Sequence, residues 1–336
     1  MCGIGTVMLV SKLVSELGYY LYAYIFGKFY TELEGALAYI IRILFGAGNA
    51  MSLAASRTVM NSELPVSVYS MLLTLVSLVL PAYLFSKLQK NSISDCFNVS
   101  GHFVPGFFRI FFAISLFMTV SAEFSDFFFS FLFPDWNISY GVGVGAGIAG
   151  YASDEKLSLF MSVINTAVFV PIVEEYVFRG VFFKALRPYG TDFTVVLSAF
   201  AFGVMHSSVT QSMYAFAFGL FAAVTVAVTG NIKTAVTFHA LNNLSMVVAD
   251  YLFLQNFTAY NIYSDIMLIL TVILGFFGLI CIFGKGGVIS AYRELKNQYD
   301  SQQGIIDDKR NGIFPIINLP MLVFLTYYAI NVLPVR

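Results

Sequence analysis

The stretch "LSLFMSVINTAVFVPIVEEYVFRG" occupies residues 157–180. Its first fourteen residues are mostly apolar, and then Glu174, Glu175 and Arg179 arrive inside the same run. A helix needs roughly 20 mostly apolar residues to cross a bilayer, and the run continues to about 186. An ionisable side chain at that depth costs roughly 3 kcal/mol on insertion scales. Such groups therefore face the protein interior and tend to serve a site. Two carboxylates and a guanidinium in one span point to a membrane protein with a buried polar centre.

The whole chain agrees. Of its 336 residues, 58% are hydrophobic and only 11% are charged, and the mean hydropathy is +0.80. A soluble domain carries about a quarter charged residues. The net charge of -1, without a long basic block, argues against a nucleic-acid partner. Cys2, Cys96 and Cys281 are far apart and form no C-x-x-C pair, so neither a disulfide framework nor a zinc ribbon is expected. The first apolar stretch holds Lys12 and Glu16 and lacks a clear cleavage site, so it does not read as a signal peptide.

Outward from 157–186, further apolar runs predict spans near 65–86, 105–132, 192–208, 210–229, 233–254, 263–284 and 313–332. One or two more fall near 5–27 and 35–49. The expected fold is all-α, a polytopic transmembrane helical bundle of about 8–10 spans. The organisation is variable N-terminal helices over 1–150, a core over 151–255 and C-terminal helices over 256–336. Lys285, Arg293, Lys296, Lys309 and Arg310 make the 285–311 loop basic, so it should be cytoplasmic. Lys87, Lys90, Lys184, Arg187 and Lys233 fall on the same side by alternation. The 134–155 loop, with Asp135, Asp154 and Glu155, then lies outside. Its Gly145, Gly147 and Gly150 match G-x-G-x-x-G, but between spans this reads as a surface loop and not a dinucleotide site.

Glu175 and Arg179 are four apart, share a helical face and can pair. Glu174 points about 100° away and has no such partner. Pro171 lacks an N–H and should disturb the helix just before it. His102 sits in a loop, but His206 and His239 sit in predicted spans, and Asn243 follows His239 on the same face. Thus three neighbouring spans carry Glu174, His206, and His239 with Asn243. Counted from the basic ends, their depths do not coincide, so they meet only if helices extend or tilt.

Glu, two His and Asn form a hydrolytic set. A carboxylate in a poorly hydrated cavity can take a proton from water, and imidazole and amide groups can hold an oxyanion. Alternatively, Glu174, His206 and His239 would be the three protein ligands of a catalytic zinc. The sequence leaves both open, although H-E-x-x-H is absent. No Gly-x-Ser loop, Gly-x-Gly-Asp motif or Asp-rich magnesium motif lies in a span; "DDKR" at 307–310 is too sparse.

Glu174-Glu175-x-x-x-Arg179, Phe202-x-x-x-His206 and His239-x-x-x-Asn243, in this order, resemble the three motifs of the CPBP group. These are the CAAX-processing and bacteriocin-processing (Abi) intramembrane proteases. The resemblance covers about 155–255. It implies an all-helical membrane protein with a cavity open to the cytoplasmic side, acting as an endopeptidase on a membrane-associated substrate. That substrate would be a prenylated CAAX-type protein or a peptide precursor. By resemblance, Glu174 and His206 would activate water, and His239 with Asn243 would hold the oxyanion. Glu175, Arg179 and Phe202 would support them. A metal-free glutamate mechanism is favoured over zinc because an Asn amide suits an oxyanion donor better than a metal ligand. Alternative readings are a non-catalytic scaffold or regulator of the immunity or signalling type, and a proton- or cation-coupled transporter.

Overall fold

The computed structural model describes residues 2–27, 63–96, 107–132, 155–206, 209–303 and 319–332. The span expected near 35–49, His102, the 134–154 loop with its glycine motif, and "DDKR" lie outside these residues. Every regular element among the described residues is helical. The ten principal helices are α1 (Cys2–Gly27), α2 (63–88), α3 (Phe107–Leu132), α4 (155–186), α5 (Thr191–Val204), α6 (Val209–Thr229), α7 (Lys233–Gln255), α8 (Phe257–Phe283), α9 (Val288–Gln303) and α10 (Leu319–Val332).

Among the described residues five stretches are long and apolar enough to cross a membrane: Ser67–Leu88, Phe107–Ser125, Leu159–Tyr189, Gln211–Thr229 and Phe257–Asn297. The all-α membrane bundle is therefore observed. The runs read as spans over 192–208 and 233–254 are not among these five. The run read as a span over 192–208 forms a helix of only 14 residues, about 21 Å long against a hydrocarbon core of about 30 Å. α7 has the length, but Lys233, His239, Asn242, Asn243 and Asp250 dilute its apolar character, as a helix lined against a polar site requires.

Small residues let the helices approach closely. α8 packs on α3 where a Cβ at Gly275 would stand 2.9 Å from the Phe112 carbonyl oxygen, and one at Gly278 would run into the carbonyl of Arg109. α5 and α6 meet at Gly203 and Gly219 in the same way; a Cβ at Gly219 would lie 3.0 Å from the Cα of Ala199. The outer faces carry exposed Leu, Ile, Val and Phe, notably on α8 at Ile266, Ile269, Ile273, Phe276 and Ile280, as lipid contact demands.

α4 is the central element. Phe178, Phe182 and Leu186 are fully buried on it, and Ser198 of α5 donates a 2.8 Å hydrogen bond to the Phe178 carbonyl. Two π-helical segments, Val163–Phe169 and Tyr176–Phe182, flank the six α-helical residues Val170–Glu175. The disturbance expected at Pro171 takes this form. In the widened turn Val170 N–H bonds the carbonyl of Asn165, five residues back. The next carbonyl, Thr166, would be met by residue 171, but proline has no N–H to give.

The polar helix α9 lies against the start of α5. Tyr292 Oη donates to Asp192 Oδ1 at 2.7 Å, and Lys296 Nζ pairs with Asp192 Oδ2. Asp192 is exposed and lies beyond the end of the Leu159–Tyr189 span. Partial burial raises its pKa, but the bonds from Lys296 and Tyr292 and the ammonium charge outweigh that and leave it below the usual carboxylate range. A carboxyl with a depressed folded pKa stabilises the contact above its unfolded pKa and loses that contribution as pH falls through the folded value. We therefore expect hydrogen–deuterium exchange in α9 to rise once pH drops below about 4, and the rise to be absent in Asp192→Asn. Unchanged exchange across that range would mean the contact does not hold α9 in place.

Candidate active site

Arg179 and Glu175 meet one turn apart on α4, with Nη1 3.1 Å from Oε1 and both side chains fully buried. The guanidinium also lies over the ring of Phe202, 4.4 Å from its centroid, and 5.8 Å from that of Phe218. This places the motif residue of α5 directly on the motif residue of α4.

The same Glu175 Oε1 receives a second group. His239 of α7 stands with Nδ1 at 3.1 Å from it. The carboxylate only accepts, so Nδ1 carries the proton and Nε2 is turned the other way, toward Glu174. Glu174 Oε2 lies 3.8 Å from Nε2. That separation exceeds a direct hydrogen bond and allows one water to touch both atoms. The two neighbouring carboxylates differ sharply in access: the Glu175 side chain is 0% exposed, while that of Glu174 is 23% exposed. One is a buried anchor and the other opens outward. The 100° step between adjacent helical residues produces the difference.

Asn243, one turn along α7, donates Nδ2–H to the Thr166 carbonyl at 2.9 Å. It thus supplies the bond that Pro171 withholds. Sequence reasoning missed Thr166; the signal available was Pro171 itself, which always leaves a carbonyl upstream without its helical partner. The pairings of 239 with 175 and of 243 with 166 show that α7 runs antiparallel to α4. The depth mismatch expected from the sequence is met by helix extension. About 18 Å of α4 separates Glu175 from Arg187, against about 9 Å of α7 between His239 and Lys233, so α4 projects beyond the start of α7.

His206 lies just past the end of α5. Its Nδ1 donates to the Phe202 carbonyl at 2.9 Å, so Nε2 of the neutral ring is the free acceptor. Phe202 joins the two imidazoles, its ring centroid 5.0 Å from that of His206 and 5.6 Å from that of His239. Among the described residues no hydrogen bond or ion pair links His206 to Glu174; the imidazole within 4 Å of Glu174 is that of His239.

The zinc arrangement needs three ligands around one point. Glu174 and His239 are spaced for two of them, and Glu175 behind His239 has the orienting position such sites use. The third is missing: among the described residues no group of three or more His, Cys, Asp or Glu side chains could hold a metal ion. The residues as placed do not fit a three-ligand zinc site.

A buried acid thus anchors an imidazole beside an accessible carboxylate, inside a helical membrane bundle. Residues 156–245 match the family model described as type II CAAX prenyl endopeptidase, Rce1-like, which supports placing the chain in the CPBP group of intramembrane proteases. The matched segment carries all seven motif residues and ends just beyond Asn243. No curated protein matches the chain, and no solved structure does.

Proposed function

We propose that the protein is an intramembrane endopeptidase that hydrolyses a peptide bond of a membrane-associated substrate with water activated by Glu174. The observation that carries this is the pair of Glu174 Oε2 and His239 Nε2, 3.8 Å apart with Glu175 fixing the far side of the ring. Water held between them loses a proton to Glu174 as its oxygen adds to the scissile carbonyl carbon. The proton then passes from Glu174 to the departing amine, so the carboxylate is regenerated. His239 Nε2 orients the water. Asn243 has a second amide hydrogen beyond the one given to Thr166, and it is the neutral donor for the oxyanion. His206, through Nε2, is the second imidazole available to the water or the tetrahedral adduct. No step in this scheme needs a metal.

The family match supports a CAAX-type endopeptidase, and Lys184 and Arg187 at the end of α4 support a site reached from the cytoplasmic side. The test is incubation of the purified full-length protein in detergent with a peptide library containing prenylated and unprenylated C-terminal cysteine motifs. Products are read by mass spectrometry with and without a chelator. We expect cleavage that survives complete metal removal. Cleavage abolished by the chelator and restored by zinc would overturn the metal-free mechanism, and a protein with no peptidase product under either condition would overturn the function.

A further inference from the structure

The stretch "HALNN", residues 239–243, carries one polar side chain that the site described above does not use, Asn242. Adjacent helical residues point about 100° apart and do not normally meet. Here the two amides do meet, with Asn242 Nδ2 3.4 Å from Asn243 Oδ1. On the far side of Asn242 stands Tyr214 of α6, whose hydroxyl donates to Asn242 Oδ1 at 2.7 Å. On the far side of Asn243 is the Thr166 carbonyl of α4, which accepts from Nδ2 at 2.9 Å. A row of three hydrogen bonds thus crosses α7 from α6 to α4.

The donors in this row all run one way. A backbone carbonyl only accepts, so Asn243 turns Nδ2 to Thr166 and Oδ1 away from it. Oδ1 then needs a donor, and the amide nitrogen of Asn242 faces it. Exchanging O and N at Asn242 would set two oxygens against each other. Asn242 Oδ1 is therefore turned to α6, where the Tyr214 phenol supplies the first proton of the row. Two consequences reach the second N–H of Asn243, the one not given to Thr166. Asn243 is barred from flipping its oxygen into that place. A hydrogen bond received at its amide oxygen also polarises the group and strengthens its N–H as a donor. At 3.4 Å the middle link is the longest, so the gain is that of about one neutral hydrogen bond.

We infer that Tyr214 and Asn242 are positioning residues of the reaction, which hold the Asn243 amide with its free N–H presented to the tetrahedral adduct. This rests on the reading of Asn243 as the oxyanion donor. The experiment uses the full-length protein in detergent and a peptide identified in the library assay. It measures kcat, KM and the Ki of the matching peptide aldehyde, whose hydrate has the tetrahedral shape of the adduct. Tyr214→Phe should lower kcat about 3–10-fold, leave KM within about twofold and raise the aldehyde Ki by the same factor as kcat falls. A merely structural loss would reduce the amount of active protein and spare that Ki. Asn242→Leu cuts the row one link nearer to Asn243, should lose at least as much, and serves if Tyr214→Phe does not fold; thermal midpoints check both. The double variant should stay within about twofold of Asn242→Leu, because a single row is already cut. A folded Tyr214→Phe protein with wild-type kcat and Ki overturns the inference, as does a double variant in which the two losses multiply. Asn243→Ala tells the two readings apart. If it loses about 10²–10³-fold in kcat while Tyr214→Phe is silent, the oxyanion donor stands and the positioning row does not. If it keeps the wild-type rate, the oxyanion assignment falls and the row's role falls with it.

Discussion

Glu174→Gln should lower peptide cleavage by at least about 10²–10⁴-fold while leaving insertion and folding intact. The carboxylate is the accessible acid of the pair, at 23% side-chain exposure against 0% for Glu175, and among the described residues its polar neighbour is His239 at 3.8 Å. The amide has the same shape and cannot take the proton of water. The measurement is initial rate against a peptide identified in the library assay, with the thermal midpoint in detergent recorded beside it. Retention of more than a tenth of the wild-type rate would remove Glu174 from the role of base and shift attention to His206. A His239→Ala protein should also be inactive, but its loss is less informative because that ring is held by Glu175 within the packed core.

The second large effect concerns stability. Glu175 Oε1 accepts from both Arg179 and His239, and neither Glu175 nor Arg179 has side-chain exposure. Glu175→Leu leaves the guanidinium buried without its counter-charge, which costs about 3–5 kcal/mol. The protein should unfold at markedly lower temperature or denaturant concentration in micelles. Replacing both members, Glu175→Leu with Arg179→Leu, should recover much of that loss, because a buried pair as a whole is worth far less than the penalty of breaking it. Circular dichroism of the three proteins through thermal unfolding decides the matter. A double variant no more stable than the single one would place the cost in packing against Phe202 and Phe218 and not in charge. Glu175→Gln separates the anchor's two duties: it weakens the hold on His239 Nδ1 with little change in volume, so activity should fall further than stability does.

Neighbouring carboxylates thus carry opposite duties, and the backbone sets them. Glu174 and Glu175 are chemically identical, and in sequence only the i, i+4 relation to Arg179 distinguishes them. That relation was enough to assign Glu175 to an ion pair and leave Glu174 over. It said nothing of His239, because a contact between residues 64 apart follows from how α7 crosses α4. The family resemblance implied that Glu174 and His206 activate water together; in the structure His239 stands 3.8 Å from Glu174, and the Phe202 ring lies between the two imidazoles. The spans were legible as apolar runs, but an apolar run does not by itself give the length of its helix. Thr191–Val204 is apolar without being long enough, since apolar composition signals burial and does not say whether lipid or protein provides it.

By itself the sequence determined that this chain is a helical membrane protein and that its few intramembrane polar groups belong together, because hydropathy and the cost of burying charge are local properties of residues. It also fixed the Glu175–Arg179 pair, since helical periodicity sets that spacing. The tertiary structure alone decided which imidazole faces Glu174, that Asn243 stands in for the N–H that Pro171 lacks, and that Arg179 is enclosed by the rings of Phe202 and Phe218. These depend on helix crossings and on a π-helical shift of register, and such long-range geometry is set by packing among α4, α5, α6 and α7, which no single stretch of the chain encodes.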